Sequence, residues 1–253
     1  MDFSQILSCA LDIGEHMLVS GAEIYRVEDC IRRICFAYGA ADVDVFTITS
    51  SIVATVQSPD EQRLTQTRRI ESYATNLDRV DKLNQLSREM CRDHIEYEEF
   101  QKRFREILGQ KRYPYWVDAV FFAIIAAAFT IFFGGSWRDA VISACIGVVL
   151  KGTVYLVSAV KFNNVLSNLI ASFVLYVLAF LAVRWRLADA VDMIVIGNIM
   201  LLIPGVALTN SLRDMISGDT MSGLLRFLEA CILALAIAAG YILASLVVGG
   251  VPV

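Results

Sequence analysis

The chain has 253 residues, of which 57% are hydrophobic, and its formal net charge is -4. A mean hydropathy of +0.58 is too high for a soluble globular protein. The negative net charge argues against nucleic-acid binding, because neutralising phosphates requires a basic face. Residues 1–112 hold 15 of the 22 Lys and Arg residues and 19 of the 26 Asp and Glu residues. We therefore predict a water-soluble domain over residues 1–112 and a membrane domain over residues 113–253.

The first segment predicts a protein whose N-terminus stays in the cytoplasm. Asp2 stands where a signal peptide carries basic residues, and Asp12 and Glu15 interrupt any apolar region. Apolar residues at helical spacing predict an amphipathic helix over residues 3–18. In the next segment, "SGAEIYRVEDCIRRICFAYG", Ser20 lies three residues before Glu23 and predicts a capping box. Gly39 supplies the left-handed stop of that second helix.

The remainder of the soluble half predicts a mixed α+β domain. Alternating apolar residues between 43 and 56 favour two short strands joined around residues 49–51, and a weaker third strand is possible over residues 64–70. Helical spacing returns from Leu77, and Asp93-x-x-Glu96 predicts a second capping box before a further helix. The predicted domain is large enough to bury its own core.

No motif in the chain predicts a metal site, a cofactor or an enzyme. The six cysteines form no C-x-x-C pair, and the only histidines are His16 and His94, so we expect the thiols to pack as small apolar side chains. No nucleophile elbow, zinc-protease motif or P-loop occurs. Without a P-loop, this chain itself does not drive transport by ATP hydrolysis.

The second half predicts an all-α membrane domain of five transmembrane helices. Crossing the hydrocarbon takes roughly 20 apolar residues as a helix, and the fourth candidate is shorter than that. The candidates are Trp116–Phe133, Trp137–Val160, Phe162–Val183, Asp192–Pro204 and Leu224–Val248.

Basic residues near the span ends predict the orientation, since Lys and Arg favour the cytoplasmic side. With the N-terminal domain inside, eight of them face the cytoplasm and three face the other side. The inner residues are Lys102, Arg103, Arg105, Lys111, Arg112, Lys161, Arg213 and Arg226, against Arg138, Arg184 and Arg186 outside. Five crossings then place the C-terminus on the outer, periplasmic side.

Several polar residues inside the spans, Lys151 and Asn198 among them, are functional candidates, because polar groups are costly in the bilayer. Lys151 lies midway along the second span, and Asn198 lies inside the fourth. Lys151 could serve a transport pathway, or it could instead extend towards the interface or pair with a neighbouring helix.

The stretch "LLIPGVALTNSLRDMISGDTMSG" breaks the fourth span. Pro204 removes a backbone donor and Gly205 allows a bend, so we predict an interrupted helix whose freed polar groups face a small solute. Thr209 and Asn210 could hydrogen-bond the solute, and Arg213 could hold a carboxylate with its planar fork. Asp214 or Asp219 could accept an ammonium group or a proton. The alternative is a surface amphipathic helix through Leu208, Leu212, Met215 and Ile216.

The two quoted segments resemble the threonine/serine exporter (ThrE-like) family, and the resemblance extends over essentially the whole chain. The resemblance implies secondary export of threonine and serine, or of short dicarboxylates such as succinate. Some exporters of this family are divided between two proteins. With five predicted spans, this chain is similar to the longer, YjjP-like subunit of such an exporter, which implies a smaller membrane subunit as its partner. The resemblance also implies that the motif after the fourth span is the preferred substrate-binding region. Its residues are Asn210, Arg213, Asp214, Gly218, Asp219 and Thr220.

We therefore expect a subunit of a bacterial inner-membrane exporter of small carboxylate metabolites, working in the lipid bilayer by alternating access and coupled to the proton gradient. A scaffold or regulatory subunit whose partner holds the pathway is the alternative. A membrane-anchored hydrolase is a further alternative, disfavoured by the missing nucleophile motif.

Overall fold

The computed structural model describes residues 1–110, 113–159 and 163–249. Three of the basic residues used to predict orientation, Lys111, Arg112 and Lys161, lie outside the described residues, as do the C-terminal residues 250–253. The described chain forms mostly helices, together with one small antiparallel sheet. It divides into two compact units, one of Met1–Lys111 with Gly205–Leu228 and the other of Arg112–Pro204 with Glu229–Val253. Residues 205–228 thus belong with the N-terminal residues, whereas the sequence assigns them to the membrane domain.

The first unit contains the predicted α+β domain. Its elements are α1 (Phe3–Val19), α2 (Ile24–Ala37), β1 (Asp42–Ile48), β2 (Ser51–Gln57), β3 (Arg63–Arg69), α3 (Leu77–Asp93), α4 (Tyr97–Leu108) and α9 (Gly205–Ile216). The strands pair antiparallel in the order β1-β2-β3, which confirms both predicted strands and the weaker third. Helix α1 lies in the core, where Leu7, Leu11 and Met17 are fully buried. Cys30 and Cys35 pack in the same core, and burial raises the pKa of each thiol to about 12.

Buried and more exposed residues alternate along the first two strands, as expected for a sheet with one face in the core. In β1 and β2 every second residue is buried, including Val45, Ile52 and Val56, while their neighbours are more exposed. Strand β3 is polar and carries Arg68, whose guanidinium lies 2.9 Å from a carboxylate oxygen of Asp12 on α1. The pairing attaches the edge strand to the central helix.

Two local capping predictions are wrong. Helix α2 begins at Ile24 with Glu23 as its N-cap, but Glu23 makes no side-chain capping bond. Ser20 instead ends α1, and its buried hydroxyl has no hydrogen-bond partner among the described residues. Glu96 likewise gives α4 no side-chain cap. The left-handed stop at Gly39 is confirmed, with φ at +89°.

The second unit consists of α5 (Tyr115–Phe132), α6 (Trp137–Ala159), α7 (Asn164–Arg184), α8 (Val191–Ile199) and the larger part of α10 (Thr220–Val248). Among the described residues, four helices are long and apolar enough to cross a membrane, namely α5, α6, α7 and α10. The predicted count of five spans is not confirmed, because α8 has only nine residues. At 1.5 Å per residue it covers about 14 Å, under half of the hydrocarbon thickness.

Helix α8 ends before the predicted break. Its last residue is Ile199, and the following residues 200–204 form turns and a bend before α9 starts at Gly205. Pro204 therefore immediately precedes a new helix instead of interrupting a longer one, a position where its missing N–H leaves no intrahelical bond unmade.

Candidate functional site

The two sequence motifs, far apart in the chain, meet within the first unit. The loop and first turn of α2 (residues 21–26) contact α9 and the start of α10 (residues 205–226), and we call this contact region the junction. The amide nitrogen of Asn210 donates a hydrogen bond to the carbonyl oxygen of Gly21 at 2.8 Å. The hydroxyl of Ser222 lies 3.5 Å from the carbonyl oxygen of Thr47. The segment after Pro204 forms a helix, α9, which agrees with the secondary structure of the alternative, an amphipathic helix.

Asp214 lies at the centre of the junction, with 1% of its surface exposed. One carboxylate oxygen accepts the backbone N–H of Ile24, the first residue of α2, at 3.2 Å. The other lies 3.0 Å from the guanidinium of Arg226, which is itself 7% exposed. The first N–H groups of a helix have no partner inside the helix and favour a negative charge. Asp214 therefore caps α2 from 190 residues away, in the place where the sequence predicts a local cap.

The electrostatics of this ion pair are set mainly by burial. Burial raises the pKa of the Asp214 carboxyl, and Arg226 and the Ile24 N–H offset part of that increase. Arg226 also donates to the carbonyl oxygen of Ala22 at 3.3 Å, which uses further protons of its guanidinium. A buried pair with these additional hydrogen bonds is sensitive to the loss of either partner.

Arg213 forms an ion pair with Glu23. The Arg213 side chain is 57% exposed and that of Glu23 is 15% exposed. The guanidinium that the sequence assigns to a substrate carboxylate is thus bound to a carboxylate of the protein.

The turn between α9 and α10 holds the remaining motif residues. Gly218 adopts φ of +102°, a conformation that side chains disfavour. The backbone N–H of Asp219 donates to the carbonyl oxygen of Asp214 at 2.9 Å, and Thr220 begins α10. A methyl group at Gly223 would lie 2.7 Å from the Ser211 carbonyl oxygen, so the two helices pack against each other without space for a side chain there.

A cavity of about 480 Å³ opens beside the junction. The N-terminal segments of α2, α3 and α9 line it, through Gly21, Ala22, Glu23, Arg26, Leu77, Val80, Gly205, Val206, Thr209 and Asn210. Thr209 and Asn210 are thereby placed at a cavity, whereas Arg213 and Asp214 are not among its lining residues.

Arg26 is a cavity residue that the sequence analysis does not single out. Its side chain is exposed, and no ion pair or hydrogen bond of it is found within the described residues. Arg32 and Arg33 pair with Glu28 and Asp29 at i-4, as predicted. The acidic residues within reach of Arg26 along the helix, Glu23 at i-3 and Asp29 at i+3, are paired with Arg213 and Arg33 instead.

The second unit contains a separate polar cluster formed by Thr130 of α5, Ser143 of α6 and Asn198 of α8, all fully buried. The amide nitrogen of Asn198 donates to the Ser143 hydroxyl at 2.7 Å and to the Ile194 carbonyl at 3.0 Å. The Thr130 and Ser143 hydroxyls are 2.6 Å apart. The amide oxygen of Asn198 has no partner among the described residues.

Two more contacts hold α8 and α6 in the second unit. Asp139 accepts the backbone N–H groups of Asp189 and Ala190 at 2.7 and 3.1 Å, immediately before α8 begins. Lys151, a predicted site residue, forms an ion pair with Asp118 of α5 at 2.8 Å. Pairing with a neighbouring helix, one of the alternatives for Lys151, is therefore observed. Lys151, Asn198 and Pro204 belong to the second unit, and the other predicted site residues belong to the first.

Comparison with known proteins identifies the family. Residues 8–248 match the family described as "Putative threonine/serine exporter". The chain belongs to the threonine/serine exporter family. This is a family of transporters and not of enzymes, and the four apolar helices agree with an integral membrane protein. No solved structure matches the chain.

The relatives fall into two kinds. The "Probable succinate transporter subunit YjjP" of Klebsiella aerogenes is 26% identical over 94% of this chain and 90% of that protein. Its counterpart from Escherichia coli K12 is 25% identical over 94% of this chain and 93% of that protein. The "Threonine/serine exporter" of Corynebacterium glutamicum is 23% identical over 94% of this chain but only 51% of that protein.

Proposed function

We propose that the chain is one subunit of a two-protein secondary exporter that moves small carboxylate metabolites, threonine and serine or short dicarboxylates such as succinate, across the bacterial inner membrane. Relative length is the observation that carries the proposal. The chain aligns with nearly the whole of two proteins named as transporter subunits, but with about half of a protein named as an exporter. The other half is then supplied by a smaller membrane subunit.

The order of the helices along the chain supports a fifth membrane crossing that is not a single continuous helix. Residues 205–228 belong to the same compact unit as residues 1–111, so in this proposal residue 205 is on the cytoplasmic side together with that domain. Three crossings by α5, α6 and α7 leave it on the opposite side at Arg184. We therefore propose that residues 185–204 return through the membrane as the short helix α8 plus non-helical backbone. Irregular backbone at that depth requires protein or a water-filled cavity around it. The N-terminus is then cytoplasmic and the C-terminus periplasmic.

Substrate handling belongs, in this proposal, to the junction and its neighbours. Arg213 exchanges Glu23 for a substrate carboxylate, and Thr209 and Asn210 contact the solute from the cavity wall. Gly218 and Thr220 set the turn that carries Asp219. Asp214 and Asp219 are the candidates for proton coupling, and the raised pKa of Asp214 makes proton uptake there easier.

Arg213 gives a specific test of substrate handling. A lysine keeps the positive charge but loses the planar, two-pronged donor. We therefore expect Arg213→Lys to reduce carboxylate efflux from cells that also express the smaller subunit. Arg33→Lys, in an exposed pair with Asp29, is the matched control and should leave efflux unchanged. Wild-type efflux from Arg213→Lys would remove this residue from the pathway.

The overall function is tested in cells lacking both subunits. Intracellular threonine, serine and succinate are followed together, before and after the two genes are restored singly and jointly. The proposal requires that efflux of at least one metabolite returns only with both. Efflux with the smaller subunit alone would favour the scaffold alternative, which the use of Asp214 and Arg226 in a structural ion pair also supports.

A further inference from the structure

We propose that the cavity beside the junction is a binding site for a small carboxylate anion, with Arg26 as its anchor. The inference deepens the proposed function and rests on it for the ligand's identity, since carboxylate metabolites are the proposed cargo. It assigns the first contact with that cargo to a residue of α2 instead of to the α9 motif alone.

The position of Arg26 is energetically unfavourable for the helix that carries it. Arg26 is the third residue of α2, and the first turn of this helix contains no acidic residue. The N-terminal end of a helix carries a partial positive charge, so a cation in the first turn is destabilising. The other arginines of α2 sit further along and have carboxylate partners. A guanidinium that has no partner within the described residues, in the helical turn that disfavours a cation, indicates a role outside folding.

The charges around the cavity favour an anion. Among the described lining residues, Arg26 and Glu23 are the charged ones, and Glu23 is neutralised by Arg213. The three side chains leave a net charge of plus one. Helix α9 begins at the cavity wall with Gly205 and Val206, and the unpaired N–H groups of its first turn add positive potential.

The polar and apolar walls suit a short carbon chain. Asn210 uses one amide proton on the Gly21 carbonyl, and its second amide proton is available for a carboxylate oxygen. The Thr209 hydroxyl donates to the Gly205 carbonyl at 3.0 Å, so the amide of Asn210 and the guanidinium of Arg26 are the side-chain donors for a carboxylate at this wall. Leu77 and Val206 are 57% and 41% exposed and provide apolar surface for methylene groups. A volume of about 480 Å³ lies in the range of small-molecule sites.

The net positive charge also sets an order among ligands. A dicarboxylate gains attraction at both ends, whereas the ammonium group of threonine or serine is repelled by Arg26. We therefore expect succinate to bind more tightly than either amino acid. This preference follows from the ion pair between Glu23 and Arg213 and would be reduced by releasing Glu23.

Binding to the purified full-length chain in detergent tests the site. Calorimetric titrations use succinate, threonine and serine at constant ionic strength, with wild type, Arg26→Gln, Arg26→Lys and Arg33→Gln. Arg33→Gln removes the same charge from the same helix two turns away. We expect Arg26→Gln to weaken succinate binding by roughly tenfold or more, Arg26→Lys to weaken it less, and Arg33→Gln to leave it unchanged.

The outcomes separate the site from the transport function. Equal affinities for Arg26→Gln and Arg33→Gln, or no binding of any of the three ligands to wild type, would overturn the site. Arg26→Gln should keep or slightly raise the melting temperature, because it removes a cation from a helix N-terminus, so misfolding does not confuse the result. If wild type binds succinate through Arg26 but cells with both subunits export none of the three metabolites, the proposed function fails and the site stands.

Discussion

The junction and the buried polar cluster of the second unit solve the same problem, holding helices together through polar groups, with different chemistry. The junction uses full charges, in the Asp214 to Arg226 and Arg213 to Glu23 pairs. The cluster uses only hydroxyls and an amide, in Thr130, Ser143 and Asn198. A cavity next to the junction admits solvent, whereas every side chain of the cluster is fully buried.

The difference follows from the energy of burying charge. An ionised group removed from water is destabilising unless it is paired and hydrogen-bonded, while a neutral polar group needs only a hydrogen-bond partner. At the junction, the Ile24 N–H and the Ala22 carbonyl oxygen complete the hydrogen bonds of the buried Asp214 to Arg226 pair, so both charges are retained. In the cluster, neutral groups hold α5, α6 and α8 together, and they neither gain nor lose a proton in the physiological pH range.

The largest expected effect is at the charged junction. Asp214→Ala leaves Arg226 buried without a carboxylate and the first N–H of α2 without its acceptor. Removing one partner of a buried pair lowers the free energy of unfolding by about 3–5 kcal/mol. Thermal unfolding of the purified chain in detergent measures the effect. Asp29→Ala, which breaks an exposed pair, should lower it by about 1 kcal/mol or less. Equal losses would show that the two pairs are energetically alike.

A smaller effect is expected in the neutral cluster. Ser143→Ala removes the acceptor for the Asn198 amide and the neighbour of the Thr130 hydroxyl. Leaving buried polar groups unsatisfied lowers the free energy of unfolding by roughly 1–3 kcal/mol. Ser245→Ala is the control, because within the described part of the chain the Ser245 hydroxyl bonds only to the Ile242 carbonyl of its own helix. A loss for Ser143→Ala no greater than for the control would argue against the cluster as a packing determinant.

The smallest expected effect is a pH dependence that distinguishes the two regions. The folded-state pKa of Asp214 is raised by burial, so its proton-linked stability is full below the ordinary pKa of Asp and is lost as pH rises through the raised value. The melting temperature of wild type, relative to Asp214→Asn, should therefore increase on acidification from pH 7 towards pH 4. An opposite trend would mean that the attraction of Arg226 lowers the pKa of Asp214 by more than burial raises it. Substitution of Asn198 should produce no such dependence.

Local patterns in the sequence predict the elements well and their ends poorly. Apolar periodicity places α1 to α4, and alternation places all three strands, because each element buries one face. The cap of α2 is different: a nearby Ser20 and Glu23 suggest a local box, but the actual acceptor is Asp214. A partner 190 residues away has no signature in the local sequence.

The membrane half shows the same limit. Four apolar stretches of sufficient length predict α5, α6, α7 and α10, since length and hydropathy are local properties. Helix α8 ends at Ile199, five residues before Pro204, next to Asn198, whose side chain contacts Ser143 of α6, and such a contact between helices has no local signature in the sequence. For the candidate site, the motif residues are visible in the sequence, but the unpaired state of Arg26 becomes clear only when the charge partners of its neighbours are known.

The central claim is that the junction takes part in solute movement. It is tested most directly by measuring efflux relative to the amount of assembled two-subunit complex. Cells expressing both subunits carry either wild type or Asp214→Asn, and carboxylate efflux is divided by the amount of two-subunit complex purified from their membranes. The account predicts that complex is still recovered but that efflux per complex falls to near background. Unchanged efflux per complex would contradict it and assign the pathway to the partner.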